Sequence, residues 1–201
     1  MAKLEGAAIT REQFLLREMQ IASQLHEEGL SNDKVIAKIK SKNLIQYPTE
    51  RMVGNIARVC CKRIDAVEDE AITRIIASGM PEAAAQANLY AMMCTYPLVR
   101  NFMVEFVARK FQELDYTLDS MEMNAYMTSL QVEYENIANL ADSTIGKIKQ
   151  VLRKCLIECS MLASARSVEL TPIFLDSDVR KAIEAKGDAE ALRAFGIQGV
   201  A

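Results

Sequence analysis

The chain has 201 residues, half of them hydrophobic and a quarter charged, with no tryptophan and few glycines or prolines. That length buries a core without a metal or disulfide staple, and the composition is that of an ordinary soluble protein rich in helix formers. A net charge of −3 excludes a generic nucleic-acid coat and leaves room only for a protein whose basic residues are gathered locally.

Residues 10–28 read as the first helix. Thr10 with Gln13 suggests a capping box, and Phe14, Leu15, Met19, Ala22 and Leu25 make the apolar stripe. Gly29-Leu30-Ser31 closes that helix, and Ser31 is placed to cap a second one over 31–43 that buries Val35, Ile36 and Ile39. Pro48, with Tyr47 held extended before it, is expected at the first position of a third helix over 48–64. Spacings of four, three and four put Arg51, Asn55, Arg58 and Lys62 on one edge of it. Met52, Ile56, Val59, Cys60 and Arg63 fall beside that edge and are expected to face inward. A short helix, a polar turn and a helix with a polar outer edge suit a major groove, so a helix-turn-helix is predicted here. A solvated face shows the same pattern. Charge separates the two readings: residues 32–63 carry eight basic and two acidic residues, a net of +6 in a chain of −3.

Asp65 is expected to cap a fourth helix that stops at Gly79. Pro81 opens an alanine-rich helix to Cys94, and Pro97 opens another to Leu114 with Val99, Phe102, Met103, Phe106 and Val107 inward. Residues 83–99 carry no charge, but the run contains Gln86, Asn88, Thr95 and Pro97 and falls short of the ~20 apolar residues of a membrane span. A buried helix is predicted, with no membrane partner. Asp119 and Glu122 form a second capping box for a helix to about 134, and Ser143 is expected to cap a long helix to about 163. Val168 to Leu175 is strand-like but interrupted by Pro172, so it reads as an extended connector or an edge strand. Two short helices end before Gly187 and Gly196. The fold class is all-α, a compact multi-helix globule. Residues 1–79 form an N-terminal region with the first helix-turn-helix, and residues 80–201 a C-terminal region with a second.

That second element centres on residues 143–154. Ile145, Ile148 and Leu152 are apolar, and Lys147, Lys149, Arg153 and Lys154 give the segment a net of +4, leaving −13 for everything outside the two basic segments. Lysines that merely solubilise a surface helix are the alternative. Gly146 among them weakens the helix by up to about 1 kcal/mol.

Five cysteines, without zinc spacing, and a lone His26 build no metal site. Cys155 and Cys159 share an apolar face. No apolar signal core opens the chain, so a reduced, cytoplasmic protein is expected. Asp65, Glu68, Asp69 and Glu70 suit the first turn of a helix better than a metal. There is no glycine-rich phosphate loop and no nucleophile with a visible base; neither catalysis nor a cofactor is predicted.

Several segments together carry a resemblance. They are Phe14-Leu15-Leu16-Arg17-Glu18 with Ile21-Ala22, Glu28-Gly29-Leu30-Ser31, Asn43-Leu44-Ile45-Gln46-Tyr47, Asp142-Ser143-Thr144, Lys147, and Gln150-Val151-Leu152. In this order and spacing the chain resembles the BrxA family, the small helical component of bacterial BREX (bacteriophage exclusion) systems, from about Thr10 to Gly196. The resemblance implies an all-helical fold with two helix-turn-helix elements and some likeness to the antiterminator NusB. It also implies binding to double-stranded DNA and a role in phage defence alongside a methyltransferase, an ATPase and other BREX proteins.

The expected function is non-catalytic duplex DNA binding by a monomer. Thr49 would donate to a phosphate from the helix start, Arg51 and Arg58 would approach base edges or phosphates, Asn55 would pair with adenine, and Lys62 would hold phosphate. Lys147, Lys149, Arg153 and Lys154 would contact the backbone from the second element. The alternatives are a helical protein–protein adaptor, for which eleven methionines and the acidic remainder are suited, and an RNA binder by likeness to NusB. The aromatics are not interleaved with the basic residues, which gives single strands no stacking platform.

Overall fold

Helices make up nearly all the regular structure of the computed structural model, which describes residues 3–197. In chain order they begin with α1 (Ile9–Glu12), α2 (Leu16–Glu27), α3 (Asn32–Lys42), α4 (Glu50–Val67), α5 (Glu70–Ser78) and α6 (Pro81–Thr95). Next, α7 (Pro97–Asn101) runs through a π-helical segment, Phe102–Val107, into α8 (Ala108–Gln112). Then come α9 (Ser120–Glu133), α10 (Glu135–Ala138), α11 (Asp142–Glu158), α12 (Ser177–Ala185) and α13 (Ala189–Ala194). The chain forms two compact units. One consists of Leu15–Thr95 and Leu175–Lys186; the other takes in residues 3–14, Tyr96–Phe174 and residues 187–197. Each is therefore built from separated stretches of the chain.

In the first unit α6 is the buried rod. Every residue from 83 to 93 is buried, which explains the uncharged run without a membrane. Among the described residues no helix is long and apolar enough to cross a membrane. The alanines keep α6 thin, so α4 and α5 pack against it, while α2 lies on α5 and α3 on α4. Asp176 caps α12 by accepting from the Asp178 and Val179 amides, and its own amide donates to Gln86 Oε1 on α6 (2.8 Å).

In the second unit Phe102, Phe106 and Tyr126 cluster with ring centroids 4.9–5.6 Å apart, and the Tyr126 hydroxyl donates to Asn101 Oδ1 (2.8 Å). Lys110, 4% exposed, donates to Asp115 Oδ2 (2.6 Å) and to Glu122. Glu122 also completes the capping box with Asp119, so one lysine ties the end of α8 to the start of α9. Arg100 forms a fork with Asp188 (2.9 Å on both arms) and reaches Glu190 (2.8 Å). The stretch at 168–175 is an extended connector. An isolated antiparallel bridge, Thr117 with Glu169, is the only strand pairing among the described residues.

Several boundaries depart from the sequence reading. The helix expected over 10–28 is broken: Thr10 lies inside α1 and donates to the Ala7 carbonyl, so it forms no box with Gln13. Leu15 turns left-handed (φ 54°) at the point where the chain leaves one unit for the other. Ser31 sits at the N-cap of α3 but makes no side-chain cap bond. Pro48 precedes the helix start, because Thr49 takes the cap and its Oγ1 accepts from the Met52 amide (3.2 Å). Asp65 does not cap α5. Burial of Val67 carries α4 past it, Glu68 adopts a left-handed conformation (φ 50°), and Asp69 accepts from the Ala71 and Ile72 amides. Asp65 instead accepts from Asn32 Nδ2 (2.8 and 3.0 Å). Ser143 is not the cap of α11, which starts at Asp142 after Ala141 and ends at Glu158.

Candidate nucleic-acid interface

Local chemistry fixes how α4 is presented. Gly29 closes α2 at φ 80°, a left-handed position that favours glycine, and the chain re-enters a helix within a few residues. The connection from α3 to α4, residues 43–49, is longer than the three or four residues of the tightest helix-turn-helix. It is nevertheless pinned. Asn43 Oδ1 accepts from the Tyr47 amide (3.1 Å), while its Nδ2 donates to the Tyr47 carbonyl (3.0 Å). Ile45 is buried, and the Tyr47 hydroxyl donates to Glu18 on α2 (3.0 Å). Burial, then the Glu18 charge, pushes the Tyr47 phenol up to about 12, so this bond keeps its proton at neutral pH.

The inward face of α4 is Val53, Gly54, Ala57, Cys60, Cys61, Arg63 and Val67. The sequence reading placed that stripe a little off. Met52 is 45% exposed, and Ile56 and Val59 are only half-buried, while Cys60 and Arg63 do face inward. Arg51, Asn55, Arg58 and Lys62 are all exposed, as is Thr49 at the helix start. Arg58 Nη1 donates to Asn55 Oδ1 at 3.0 Å.

Below this edge α3 crosses α4 at Gly54. A Cβ there would meet Lys40 Cδ at 3.2 Å, so the glycine lets the lysine stem lie on the helix. Lys40 then reaches Glu50 (3.0 Å). A cleft of about 370 Å³ results, lined by Lys40, Glu50, Arg51, Gly54, Asn55 and Arg58. Sequence reasoning missed Lys40 and Gly54, although a glycine inside an amphipathic helix signals a close approach. Lys34 and Lys42 are exposed on α3, whereas Lys38 pairs with Glu28 (2.7 Å).

The basic residues of α11 are placed differently. Arg153 is half-buried and donates to the carbonyls of Leu118 (3.0 Å), Ala165 (3.4 Å) and Ser167 (2.5 Å). Its guanidinium thereby ties two turns of the second unit together. Lys149 donates to Asn124 on α9 (2.6 Å), and Lys154 pairs with Glu158 (2.8 Å). Lys147 is exposed, with no hydrogen bond or ion pair to another described residue.

A second cleft, about 680 Å³, lies in the first unit between α2, α4 and α5. Glu27, Asp65, Glu68, Asp69 and Glu70 line it together with His26. Among the described residues no group of His, Cys, Asp or Glu is arranged to hold a metal ion. Burial pushes the Cys60 thiol up to about 12 and the Cys61 thiol up to about 11, so neither is a thiolate at neutral pH.

A family model described as BrxA matches residues 6–187. The chain belongs to the BrxA family. It is 31% identical over 176 residues to the BREX protein BrxA of Bacillus cereus (strain H3081.97), covering 87% of this chain and 88% of that protein. The BREX protein BrxA of Escherichia coli O9:H4 (strain HS) is 21% identical over 189 residues, covering 94% and 85%. A crystal structure of a protein from Magnetospirillum magneticum superposes with a TM-score of 0.81 at 17% identity, over 95% of this chain and 97% of that one. That likeness extends the all-α BrxA fold to a distant sequence.

Proposed function

We propose that this BrxA-family chain is a component of a BREX phage-defence system that binds double-stranded DNA without catalysing a reaction, using α3 and α4 as a helix-turn-helix. The observation that carries the reading is the solvent-facing edge of α4, with Arg51, Asn55, Arg58 and Lys62 in a row and Lys34 and Lys42 on the preceding helix. Cations there take phosphate oxygens, and Thr49, whose oxygen accepts within the cap, keeps its hydroxyl proton to donate outward. The part proposed for α11 is narrower. Lys147 is the cation best placed for a phosphate, while Arg153 serves the fold.

Mobility-shift titrations of the full chain across salt, with duplex DNA, single-stranded DNA and structured RNA, test this reading. Duplex should bind best, with an affinity that falls steeply with salt; preference for RNA, or no binding to any of the three, would overturn it. A second reading, a helical adaptor to other BREX proteins, is supported by Met121 and Val132, 74% and 77% exposed on α9. A partner retained in high salt after DNA has dissociated would favour the adaptor.

A further inference from the structure

Arginine donates hydrogen bonds and never accepts them, so the Asn55 atom that faces Arg58 Nη1 at 3.0 Å is the amide oxygen. That bond fixes the amide orientation and points its Nδ2 group, two donors, away from Arg58. The second lone pair of Asn55 Oδ1 persists, but any donor reaching for it must lie against a guanidinium, with N–H meeting N–H. Arg51, one turn earlier on the same edge, adds donors only. Glu50, the one carboxylate lining the cleft, precedes this stretch and holds Lys40 through Oε1 (3.0 Å). From Arg51 to Arg58 the outer edge of α4 therefore offers donors and no usable acceptor.

Base pairs differ in what they show such an edge. In the major groove guanine presents two acceptors, N7 and O6, whereas adenine presents the N7 acceptor beside the N6 amino donor. An asparagine that reads adenine needs both ends of its amide. Here the oxygen end is occupied, so the adenine pairing expected from the sequence is disfavoured. Guanidinium groups match guanine with two parallel N–H bonds, and Arg58 keeps its remaining N–H groups for this while Asn55 holds it in place. We propose that α4 selects guanine over adenine, with Arg58 as the guanine-reading residue and Asn55 as the positioning residue that also rejects adenine; this rests on the duplex-binding reading above.

The test uses the full chain and one duplex prepared in three forms: unmodified, with every guanine replaced by 7-deazaguanine, and with every adenine replaced by 7-deazaadenine. The first replacement removes an acceptor from guanine and leaves base pairing and phosphates intact. Affinity should fall about tenfold with 7-deazaguanine and change by less than about twofold with 7-deazaadenine. Arg58→Lys keeps the charge but not the fork, and should erase the difference between the two forms while leaving the salt dependence in place. Equal affinity for all three forms would show that the donors meet phosphate alone and would overturn the proposal. Greater loss with 7-deazaadenine, or retained guanine preference in Arg58→Lys, would overturn it as well. If no form binds at all, the duplex reading itself fails, an outcome distinct from binding without base preference.

Discussion

Changing Arg51, Arg58 and Lys62 together to Gln removes three positive charges from the edge of α4. All three side chains are exposed and Gln is a good helix former, so folding stability should stay within about 0.5 kcal/mol of the parent. Each cation seated on a phosphate releases about 0.9 of a counterion, so three such contacts contribute about 2.7 to the slope of log affinity against log salt, and two contribute about 1.8 if Arg58 faces a base. Over a fourfold rise, from 50 to 200 mM salt, the parent should lose roughly 40-fold more affinity than the variant in the first case and roughly 12-fold more in the second. The parent slope is set by how many cations meet phosphates; the −13 carried outside the two basic segments weakens binding overall. Mobility shifts at five salt concentrations measure both slopes, and a thermal melt confirms that the variant is folded. Two parallel lines of equal height would refute the argument, since the edge would then contribute no contact. Parallel lines with the variant uniformly weaker would mean that these residues meet bases or water but release no counterions.

Arg153→Gln is predicted to cost about 2 kcal/mol in a urea melt, because three carbonyls lose a charged donor that is only half-buried, and to leave the salt slope of DNA binding unchanged. A flattened slope with no loss of stability would instead assign that residue to the duplex. Lys110→Met should cost about 2–3 kcal/mol by leaving Asp115 and Glu122 without their shared cation. Hydrogen bonding from Lys110 holds the Asp115 carboxyl below its ordinary range; that contribution is complete above the unfolded value and fades as pH falls through the folded one. The parent should therefore lose stability below about pH 4 more steeply than Lys110→Met does, as read from melts at stepped pH. At the alkaline end burial opposes the Lys110 charge, but the hydrogen bonds to Asp115 and Glu122 outweigh it, so the pair's contribution is complete below the unfolded lysine value and disappears well above it. Gly146 lies inside α11, and an added Cβ would meet nothing within 4 Å. Gly146→Ala should therefore raise stability by up to about 1 kcal/mol, with DNA affinity unchanged; a lower melting temperature would show that α11 needs the glycine.

The helical period made one face of the site legible and hid another, for a physical reason. Spacing tells which side chains share an edge of their own helix, and Arg51, Asn55, Arg58 and Lys62 do share one that faces solvent. It does not tell what arrives from elsewhere. The carbonyls of Leu118, Ala165 and Ser167 that hold Arg153 belong to turns and an extended connector, and no side-chain signature marks them in advance. Helix ends were blurred for a related reason. Asp65 and Asp69 both precede apolar residues and both suit a cap; burial of Val67 decides in favour of Asp69, and the burial of α4 depends on the helices packed on it, α6 among them, as much as on the local sequence. The break at Leu15 is hidden in the same way, because the apolar spacing runs through it while the chain changes units. Charge counted along the chain therefore overstates how many cations α11 leaves for a ligand. On α11 the net of +4 leaves one lysine without a polar partner among the described residues. On the α3–α4 segment the acids that neutralise Lys38 and Lys40 lie off the line of Arg51, Asn55 and Arg58, which faces solvent where a duplex would meet it.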